Sequence, residues 1–556
     1  MSVHDMVIYQ VYPKSFYDST GSGVGDLRGV IEKVAHIASL GVDMVWFNPF
    51  FVSPQRDNGY DIADYYAIDP AMGTMADFEE LVAALDAHGV GVMLDMVLNH
   101  TSTEHEWFRR ALAGEAAYQD FFFIRPGVDG HPPNNWVSKF GGSAWAPFGD
   151  TGDYYLHLFD VTQADVNWHN PRVRDEMAKV VEFWRGKGVR GFRFDVINLI
   201  GKPADLPSAP EGTDDRAMYT DGASVHEYLR ELAARSYGLD PDSVTVGEMS
   251  STSVEACVQY SNPDNDELSM VFNFHHLKVD YRDGQKWTLM PFDFAELKRL
   301  LMDWAVRMQE GGGWNALFWN NHDQPRALDR FADPVGHRYE SATMLATVIH
   351  LLRGTPYVYM GEEIGMTDPE YTAIGDYVDV EAINAYAALV ASGMSDADAF
   401  AIVHSKARDN ARTPMQWSPE AHGGFTTGTP WLRPTNHERI NVADEEASGR
   451  ILPYYRALIR LRKTHPLIAE GTVEPFALDH PSVLAYLRRH GEQQLLVLAN
   501  FYGEPTSLAI PDAFVGGEIL IANDPSAEPP ASAEVLLRPY EALAIRIPSQ
   551  PQGEQS

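Results

Sequence analysis

Three acidic residues follow separate apolar runs of the chain, and together they could cleave a glycosidic bond. Asp195 ends "GFRFD", Glu248 follows "VTVG", and Asp323 ends "WNNHD". Cleavage with retention of configuration needs one carboxylate that attacks the anomeric carbon and one carboxylic acid that protonates the leaving oxygen. The competing interpretation is that each acid caps the helix after its strand. Three strand ends that all carry acids favour the catalytic interpretation.

The surroundings of two of these acids predict different roles for them. Arg193 lies two residues before Asp195, so both side chains point to the same face of a strand. A positive charge beside Asp195 would keep it ionised, as a nucleophile requires. Glu248 has no adjacent cation in the sequence and is the better candidate for the general acid and base. Asp323 would then bind sugar hydroxyl groups and favour a distorted, oxocarbenium-like ring.

These acids need a scaffold that brings distant segments together, and the chain predicts a parallel (β/α)8 TIM barrel. Apolar runs alternate with helical segments such as 27–41, 75–89, 170–188 and 294–308. Their continuous apolar character fits strands that are buried on both faces. In such barrels the C-terminal ends of the strands meet at one face, where the acids would converge. The eight predicted strands are 6–13, 42–50, 90–100, 189–197, 243–249, 270–274, 315–323 and 355–363.

Parts of the chain depart from this alternation and predict further domains. Residues 1–100 and 171–469 would form the catalytic barrel. Residues 101–170, rich in Trp, Phe, Gly and Asn, would form a small domain inserted after the third strand, over the barrel mouth. Residues 470–550 alternate like antiparallel strands and predict a C-terminal β-sandwich domain, with a turn at the dipeptide "HG". The tail, 551–556, is predicted to be disordered.

The composition limits the classes of partner. The 556 residues include 43 Lys plus Arg against 78 Asp plus Glu, a formal charge of −35. This charge disfavours nucleic acid and anionic membranes. An anionic small molecule remains possible, because local charges dominate within about 8 Å at physiological salt. Cys257 is the only cysteine, so we expect neither a disulfide nor a cysteine metal cluster. Without a signal-like N-terminus or a long apolar run, we expect a cytoplasmic protein. We also expect a monomer.

Four short blocks resemble the signature blocks of the α-amylase superfamily of retaining glycoside hydrolases. They are "DMVLNHTS", "GFRFDVIN", "VGEMSS" and "WNNHDQPR", in this order and at these strand ends. The resemblance covers essentially the whole chain. It implies that Asp195 is the nucleophile, Glu248 the general acid/base and Asp323 the acid that stabilises the transition state. It implies no required cofactor.

The resemblance also implies which residues hold the glucose at the non-reducing end. Tyr60 would stack on the sugar, although it could equally belong to the core. Arg412 of "RDNARTPMQW" would pair with Asp61 of "NGYDIADY" and close the pocket, and Arg408 is the less favoured choice for that arginine. A closed pocket fits exo-acting cleavage of short sugars. The full implied set is Asp61, Tyr60, His100, Arg193, His322 and Arg412.

One loop, "DSTGSGVGD" (18–26), resembles the calcium site of the superfamily but lacks part of its ligand set. Oxygen-bearing groups at alternate positions can wrap a hard cation. Thr20 and Ser22 stand where Asn and Asp are usual, and the loss of a carboxylate weakens the attraction for a dication. We therefore expect either a weakened structural calcium site or an unoccupied Gly-rich turn. The implied ligand positions are Asp18, Thr20, Ser22, Val24 and Asp26.

A basic stretch, "FNFHHLKVDYRDGQKW" (272–287), stands out in so acidic a chain. It contains His275, His276, Lys278 and Lys286 and begins where the sixth strand ends. This loop would overhang the region that accepts the leaving sugar. Ammonium and imidazole groups suit a phosphate, and each charge-assisted contact is worth roughly 1.5–3 kcal/mol. We therefore expect a phosphate on the leaving sugar; the competing interpretation is a solvated loop.

The residue after the predicted nucleophile narrows the branch of the superfamily. Val196 is similar to the valine of the oligo-1,6-glucosidase branch, which leaves isomaltose-type sugars and α,α-1,1-linked trehalose compounds open. The runs "FNFHHLKVDY" and "YTDGASVHEYL" resemble trehalose-6-phosphate hydrolases, which implies hydrolysis of trehalose 6-phosphate to glucose and glucose 6-phosphate. An oligo-1,6-glucosidase acting on neutral sugars is the alternative. A non-catalytic member would lack part of the acidic set and carry a membrane anchor, which is not expected here.

Overall fold

The computed structural model describes residues 2–547, and its central element is a parallel eight-stranded sheet. In spatial order the strands run six, five, four, three, two, one, eight and seven. A parallel bridge between Val271 and Asn315 joins strand six to strand seven and closes the barrel. All eight predicted strands are confirmed. Their bounds are Ile8–Val11, Met44–Phe47, Gly91–Met96, Gly191–Phe194, Val244–Glu248, Met270–Phe272, Ala316–Leu317 and Thr355–Tyr359.

The register of the barrel decides which side chains share a level. Arg193 on the fourth strand pairs with Asp95 on the third strand and with Val246 on the fifth. Glu248, the last residue of the fifth strand, pairs with Phe272, the last residue of the sixth. Because all these strands run in the same direction, their polar C-terminal ends lie on one face of the barrel.

Helices cover the outside of the barrel. The predicted helix over 27–41 is wrong in one respect: it consists of Leu27–Glu32 and Val34–Leu40, because Lys33 has φ −105° and ψ 6° and interrupts the helical backbone. Helix Met75–Asp86 begins with a capping box between Thr74 and its third helical residue. The remaining barrel helices are Pro171–Gly186, Val225–Arg235, Val254–Ser261, Phe294–Glu310, Arg338–Leu351 and Ile451–Thr464.

The segment after the third strand forms a small sheet of its own. Ile124–Pro126 and Trp145–Pro147 both pair antiparallel with Asp153–Leu156. His100–Ser102 and Gln163–Asp165 pair at its base. Its buried aromatic residues share one core with Val196 and Leu199, which follow the fourth barrel strand. The segment therefore packs directly against the mouth of the barrel. Its helices are Glu106–Leu112 and Ala116–Gln119.

A second helical segment lies after the eighth strand and reaches the same face. Helices Val380–Ala391 and Asp396–Lys406 pack around a small core that contains Tyr371 and Tyr377. The short helix Asp409–Arg412 ends this segment with a buried arginine. Shorter helices complete the domain: Ala327–Phe331, Val442–Ser448 and Pro466–Ala469.

The C-terminal part is antiparallel, as predicted. Strands Val483–His490 and Gln493–Asn500 form a hairpin, and Gly491 has φ 58° in the turn predicted at "HG". The Tyr486 hydroxyl donates to the carbonyl oxygen of Val348 at 2.8 Å and ties this sheet to a barrel helix. The five-stranded sheet contains Thr472–Phe476, Val483–His490, Gln493–Asn500, Ala542–Ile547 and Glu518–Ala522, and a second sheet pairs Thr506–Ala509 with Glu534–Leu537.

Two sequence expectations concern the ends and surroundings of the chain. The predicted disordered tail, 551–556, lies outside the described residues. Within residues 2–547, no helix is both long and apolar enough to cross a membrane.

Candidate active site

One buried arginine joins three carboxylates at the barrel mouth. Arg193 is 1% exposed. Its Nη1 donates to Asp95 Oδ1 at 2.6 Å and to Asp195 Oδ1 at 2.7 Å, and its Nη2 contacts Glu248 Oε2. One guanidinium group cannot neutralise three carboxylates away from water, so the site favours a protonated carboxyl group.

The two predicted catalytic acids have different pKa values. Burial raises the pKa of Glu248 to about 8 and the pKa of Asp195 to about 7, while Arg193 opposes both increases. Glu248 therefore keeps its proton to a higher pH, which is the order that an acid and a nucleophile need. Arg193 contacts Glu248 as well as Asp195, so the prediction that this cation distinguishes the two acids is wrong.

Asp95 is a member of this cluster that the sequence argument missed. It is the second-last residue of the third strand and is 1% exposed. Burial raises its pKa to about 6, against the opposing charge of Arg193. A single acid inside the continuous apolar run "VMLDMV" was the available signal. Its carboxylate contributes negative charge beneath Asp195 and so helps to keep a proton in the cluster.

The backbone directly after Asp195 is strained. Val196 has φ 36° and ψ 42°, in the left-handed region that β-branched residues rarely adopt. Its side chain packs in the same core as Phe123 and Trp136 of the inserted segment. The Asp195 N–H donates to the carbonyl oxygen of Met96 at 3.0 Å and anchors the strand end. The strain turns the chain sharply after Asp195, as found at many functional sites.

Asp323 lies beyond the seventh strand between a histidine and two arginines. Its Oδ1 accepts from Arg412 Nη2 at 2.8 Å and lies 3.3 Å from Arg408 Nη1, and its Oδ2 lies 3.1 Å from His322 Nε2. Burial opposes ionisation of Asp323, but the hydrogen bond from His322 and the two guanidinium groups hold its pKa well below the usual range. Asp323 is therefore a carboxylate at neutral pH.

His322 and Tyr60 form the floor beside Asp323. Burial lowers the pKa of His322 to about 4, so its ring is neutral at pH 7. Gln10 Nε2 lies 3.0 Å from its Nδ1, which leaves Nε2 to carry the proton toward Asp323. The Tyr60 ring stacks on the His322 ring at 5.3 Å, and its hydroxyl donates to Asp95 Oδ2 at 2.9 Å. Tyr60 thus belongs to the buried polar network, and its predicted stacking on a sugar stays a prediction.

His100 is fully enclosed near the start of the inserted segment. Its Nε2 lies 3.2 Å from the carbonyl oxygen of Tyr60, and its Nδ1 lies 3.3 Å from Asn99 Nδ2. Burial lowers its pKa to about 4, so the ring is neutral. These contacts fix the loop that carries Tyr60.

The predicted role of Asp61 is wrong. Its carboxylate turns back into its own loop and accepts from Ser53 Oγ at 2.9 Å, from Arg56 N at 2.9 Å and from Asp57 N at 3.1 Å. Asp57, four residues earlier, lies instead at the mouth, with Oδ1 3.4 Å from Arg408 Nη2. Two Asp residues flank the same "NGY" turn, and only the folded loop distinguishes them.

The predicted pair between Arg412 and Asp61 is also wrong. Arg412 is 1% exposed and contacts Asp323 and Asp379, and its Nε donates to the carbonyl oxygen of His322 at 2.7 Å. Arg408, the less favoured choice, contacts both Asp57 and Asp323. Both arginines therefore connect the segment after the eighth strand to Asp323, and Arg408 also connects it to Asp57.

A cavity of about 620 Å³ opens beside Glu248 and Asp323 on the side where a leaving sugar would lie. Lys278 of the basic stretch lines this cavity with an exposed side chain. Among the described residues, no carboxylate lies within ion-pair distance of its ammonium group. Burial lowers the pKa of Lys278, and its role as a phosphate ligand stays a prediction.

The other members of the basic stretch do not all follow the prediction. His275 lines the cavity, but burial lowers its pKa to about 4, so it is neutral. The prediction that His276 faces the cavity is wrong. Its Nε2 lies 2.9 Å from the carbonyl oxygen of Phe318, and its ring packs into the barrel wall. Lys286 lines the cavity, but Glu381 Oε2 lies 2.7 Å from its Nζ and neutralises it. Consecutive residues in a short 3-10 turn point in different directions, which separates His275 from His276.

Two cavity cations come from loops that the sequence argument did not consider. Lys139 of the inserted segment donates to Ser250 Oγ at 2.7 Å. Burial, together with the nearby charges of Arg216 and Lys278, lowers the pKa of Lys139 to about 8. Arg216, by contrast, is paired with Asp214, whose Oδ2 lies 2.6 Å from its Nη2. No local sequence pattern distinguishes Lys139 from an ordinary surface lysine.

The predicted calcium loop directs its carboxylates at its own backbone. Asp18 accepts from the N–H groups of Thr20, Gly21 and Gly23 at 2.6–2.9 Å. Asp26 caps a helix by accepting from Gly29 N at 2.7 Å, and Ser22 Oγ donates to the carbonyl oxygen of Val24 at 3.1 Å. Within residues 2–547, no group of three His, Cys, Asp or Glu side chains is arranged to hold a metal ion. The two carboxylates of the loop are thus used by its own backbone, and calcium binding here stays a prediction.

Comparison with known proteins places this site within a family. Residues 10–471 match the family described as "Alpha amylase, catalytic domain", and residues 483–543 match "Alpha-amylase SusG C-terminal domain". The chain is 51% identical over 549 residues to the trehalose-6-phosphate hydrolase of Bacillus subtilis (strain 168), and the match covers 97% of each chain.

A second kind of relative and a solved structure also match almost the whole chain. The chain is 43% identical over 554 residues to the oligo-1,6-glucosidase of Parageobacillus thermoglucosidasius, with 98% of each chain covered. The crystal structure of the trehalose-6-phosphate hydrolase from Bacillus licheniformis superposes with a TM-score of 0.94 at 47% identity, covering 98% of this chain and 100% of that one. The chain therefore belongs to the alpha-amylase family.

Proposed function

We propose that this glycoside hydrolase cleaves trehalose 6-phosphate to glucose and glucose 6-phosphate by double displacement. Asp195 attacks the anomeric carbon of the unphosphorylated glucose, while Glu248 donates its proton to the glycosidic oxygen. Glucose 6-phosphate leaves, and the glucose stays attached to Asp195 as an ester. Glu248, now a carboxylate, then takes a proton from water, which attacks the same carbon and releases glucose. Asp323 stabilises the positive charge that develops on the sugar ring.

One observation carries the choice of substrate: Lys278 lines the leaving-sugar side of the cavity, and no carboxylate of residues 2–547 lies within ion-pair distance of it. In a chain of formal charge −35, a cavity lysine without a counter-ion favours an anionic ligand. Lys139, whose ammonium group is held by a neutral hydroxyl, adds a second positive charge to the same cavity.

The expected binding energy of the phosphate contacts is large enough to select the phosphorylated disaccharide over trehalose. Charge-assisted hydrogen bonds to a phosphate are worth roughly 1.5–3 kcal/mol each. Two such contacts would favour the phosphorylated disaccharide over plain trehalose by about a hundredfold. The trehalose-6-phosphate hydrolases among the relatives, which match almost the whole chain, support the same substrate. A sugar phosphate does not diffuse through a bilayer, which fits the expected cytoplasmic location.

The test is the substrate profile of Lys278→Met. We expect kcat/KM for trehalose 6-phosphate to fall about 10- to 100-fold, because the phosphate loses a charge-assisted contact. With a nitrophenyl glucoside, whose leaving group carries no phosphate, the loss should be at most a few-fold. Lys179→Met is the matched control, since Lys179 pairs with Glu176 on an exposed helix face. Equal losses on the two substrates would contradict the phosphate role of Lys278.

Oligo-1,6-glucosidase activity is the second candidate. It is favoured by Val196 after Asp195 and by the ion pair between Lys286 and Glu381, which neutralises one of the two lysines of the basic stretch. Trehalose 6-phosphate, trehalose and isomaltose should be compared as substrates of the same preparation. If glucose is released fastest from isomaltose, the substrate is a neutral sugar and not trehalose 6-phosphate.

A further inference from the structure

Lys286 and Glu381 form an ion pair inside the substrate cavity. Lys286 Nζ lies 2.7 Å from Glu381 Oε2, and both side chains line the same 620 Å³ space. Each side chain is about 20% exposed, so the pair is screened less than a surface pair. Lys286 comes from the sixth-strand loop and Glu381 from the first turn of helix Val380–Ala391, so two separate segments meet here.

The same carboxylate oxygen has a second cationic neighbour. Glu381 Oε2 also lies 3.4 Å from Arg408 Nε. Arg408 also contacts Asp379 at 2.5 Å, Asp323 at 3.3 Å and Asp57 at 3.4 Å, so its charge is shared among several carboxylates. If Glu381 loses Lys286, its charge still faces this guanidinium group, which offsets part of the cost of leaving the carboxylate without Lys286.

We infer that Glu381 is an internal counter-ion that competes with the phosphate of the bound sugar for Lys286. In the free protein Glu381 holds Lys286. A phosphate that enters the cavity takes over Lys286, and Glu381 keeps Arg408 as its remaining partner. This inference rests on the proposed function, because it needs a phosphate at the leaving-sugar side.

The two lysines of the basic stretch differ in whether a phosphate must displace a carboxylate to reach them. Lys278 attracts the phosphate without any exchange of partner, whereas each contact to Lys286 must replace an existing ion pair. Glu381 therefore lowers the affinity for the phosphorylated substrate and for the phosphorylated product alike. A weaker hold on glucose 6-phosphate speeds its release after the bond is cleaved, because affinity changes at a fixed site appear mainly in the off-rate.

The test measures inhibition of nitrophenyl glucoside hydrolysis by glucose 6-phosphate and, separately, by glucose. In Glu381→Gln we expect the inhibition constant of glucose 6-phosphate to fall about three- to tenfold, and that of glucose to change little. In the Lys286→Met background the same substitution should give no such gain, since the contested ammonium group is gone. Glu370→Gln, which removes an exposed partner of Arg439, controls for the change in net charge.

The outcomes distinguish this inference from the proposed function. An unchanged or raised inhibition constant in Glu381→Gln overturns the counter-ion role, as does an equal gain with and without Lys286. Failure of the unaltered protein to hydrolyse trehalose 6-phosphate overturns the proposed substrate instead, whatever the inhibition constants show. Melting temperatures of each variant show whether a changed constant reflects the exchange of partners or a loss of folding.

Discussion

The two sides of the active site are built differently. On the glucose side, Arg193 is 1% exposed, His322 is fully buried, and the acids stand at or just beyond strand ends. On the leaving-sugar side, Lys139, Lys278 and Lys286 come from two loops, and their charges range from unpaired to neutralised. The first side is a rigid part of the barrel, and the second is assembled from segments laid over it.

This difference teaches where selectivity can change without disturbing the chemistry. The reacting groups are held by the parallel sheet, which many enzymes share, while loops at the C-terminal face vary freely. A lysine placed on such a loop alters the charge of the cavity but leaves the strand ends untouched. The comparison predicts that substitutions on the glucose side affect every substrate, and that those on the other side affect only phosphorylated ones.

The largest expected effect comes from the glucose side. Asp195→Asn should lower kcat by at least about a thousandfold with both trehalose 6-phosphate and a nitrophenyl glucoside, because the amide cannot form the covalent intermediate. The variant should still bind glucose 6-phosphate, which calorimetry can measure. Substantial turnover in this variant would contradict the assignment of Asp195 as the nucleophile. A loss on only one substrate would contradict the prediction that substitutions on the glucose side affect every substrate.

A smaller effect separates the two aspartates of the "NGY" turn. Asp57→Asn should lower kcat/KM about 10- to 100-fold with both substrates, because it weakens the contact to Arg408 at the mouth. Asp61→Asn should chiefly lower the melting temperature, because the amide keeps only one of the two oxygens that accept from three donors of its own loop. Steady-state kinetics together with thermal melts check both. The reverse pattern would restore Asp61 as the sugar-binding residue.

The smallest expected effect is a pH-dependent change in stability. Burial raises the pKa of Glu248 to about 8, so the folded state binds a proton that the unfolded state releases near pH 4 to 5. The stabilisation from this proton is complete at low pH and is lost as the pH rises toward 8. Glu248→Gln cannot lose a proton, so its melting temperature relative to the unaltered protein should rise by about 1–3 °C between pH 5 and pH 9. A constant difference would show that Glu248 ionises normally.

The strand ends could be predicted from the sequence because their chemistry is local. Asp195, Glu248 and Asp323 each belong to a contiguous block, and the barrel brings the blocks together without further information. The eight strands were predictable for a similar reason, since strands buried on both faces are apolar throughout.

The remaining contacts depend on backbone direction and on distant partners. Asp57 and Asp61 flank one turn, and the choice between them is made by hydrogen bonds inside the folded loop. His276 turns into the barrel wall because consecutive residues of a tight turn diverge. The neutralisation of Lys286 requires Glu381, a residue about a hundred positions away, which no local pattern reveals.

The strained residue after Asp195 gives the inserted segment an influence on reactivity. Val196 adopts a left-handed conformation and shares one buried core with Trp136 and Trp145 of the inserted segment. We expect repacking of those indole rings to alter the backbone turn that carries the Asp195 carboxylate. The segment that supplies Lys139 to the cavity can thus also tune the reaction rate through the position of Asp195, with the chemical groups themselves unaltered.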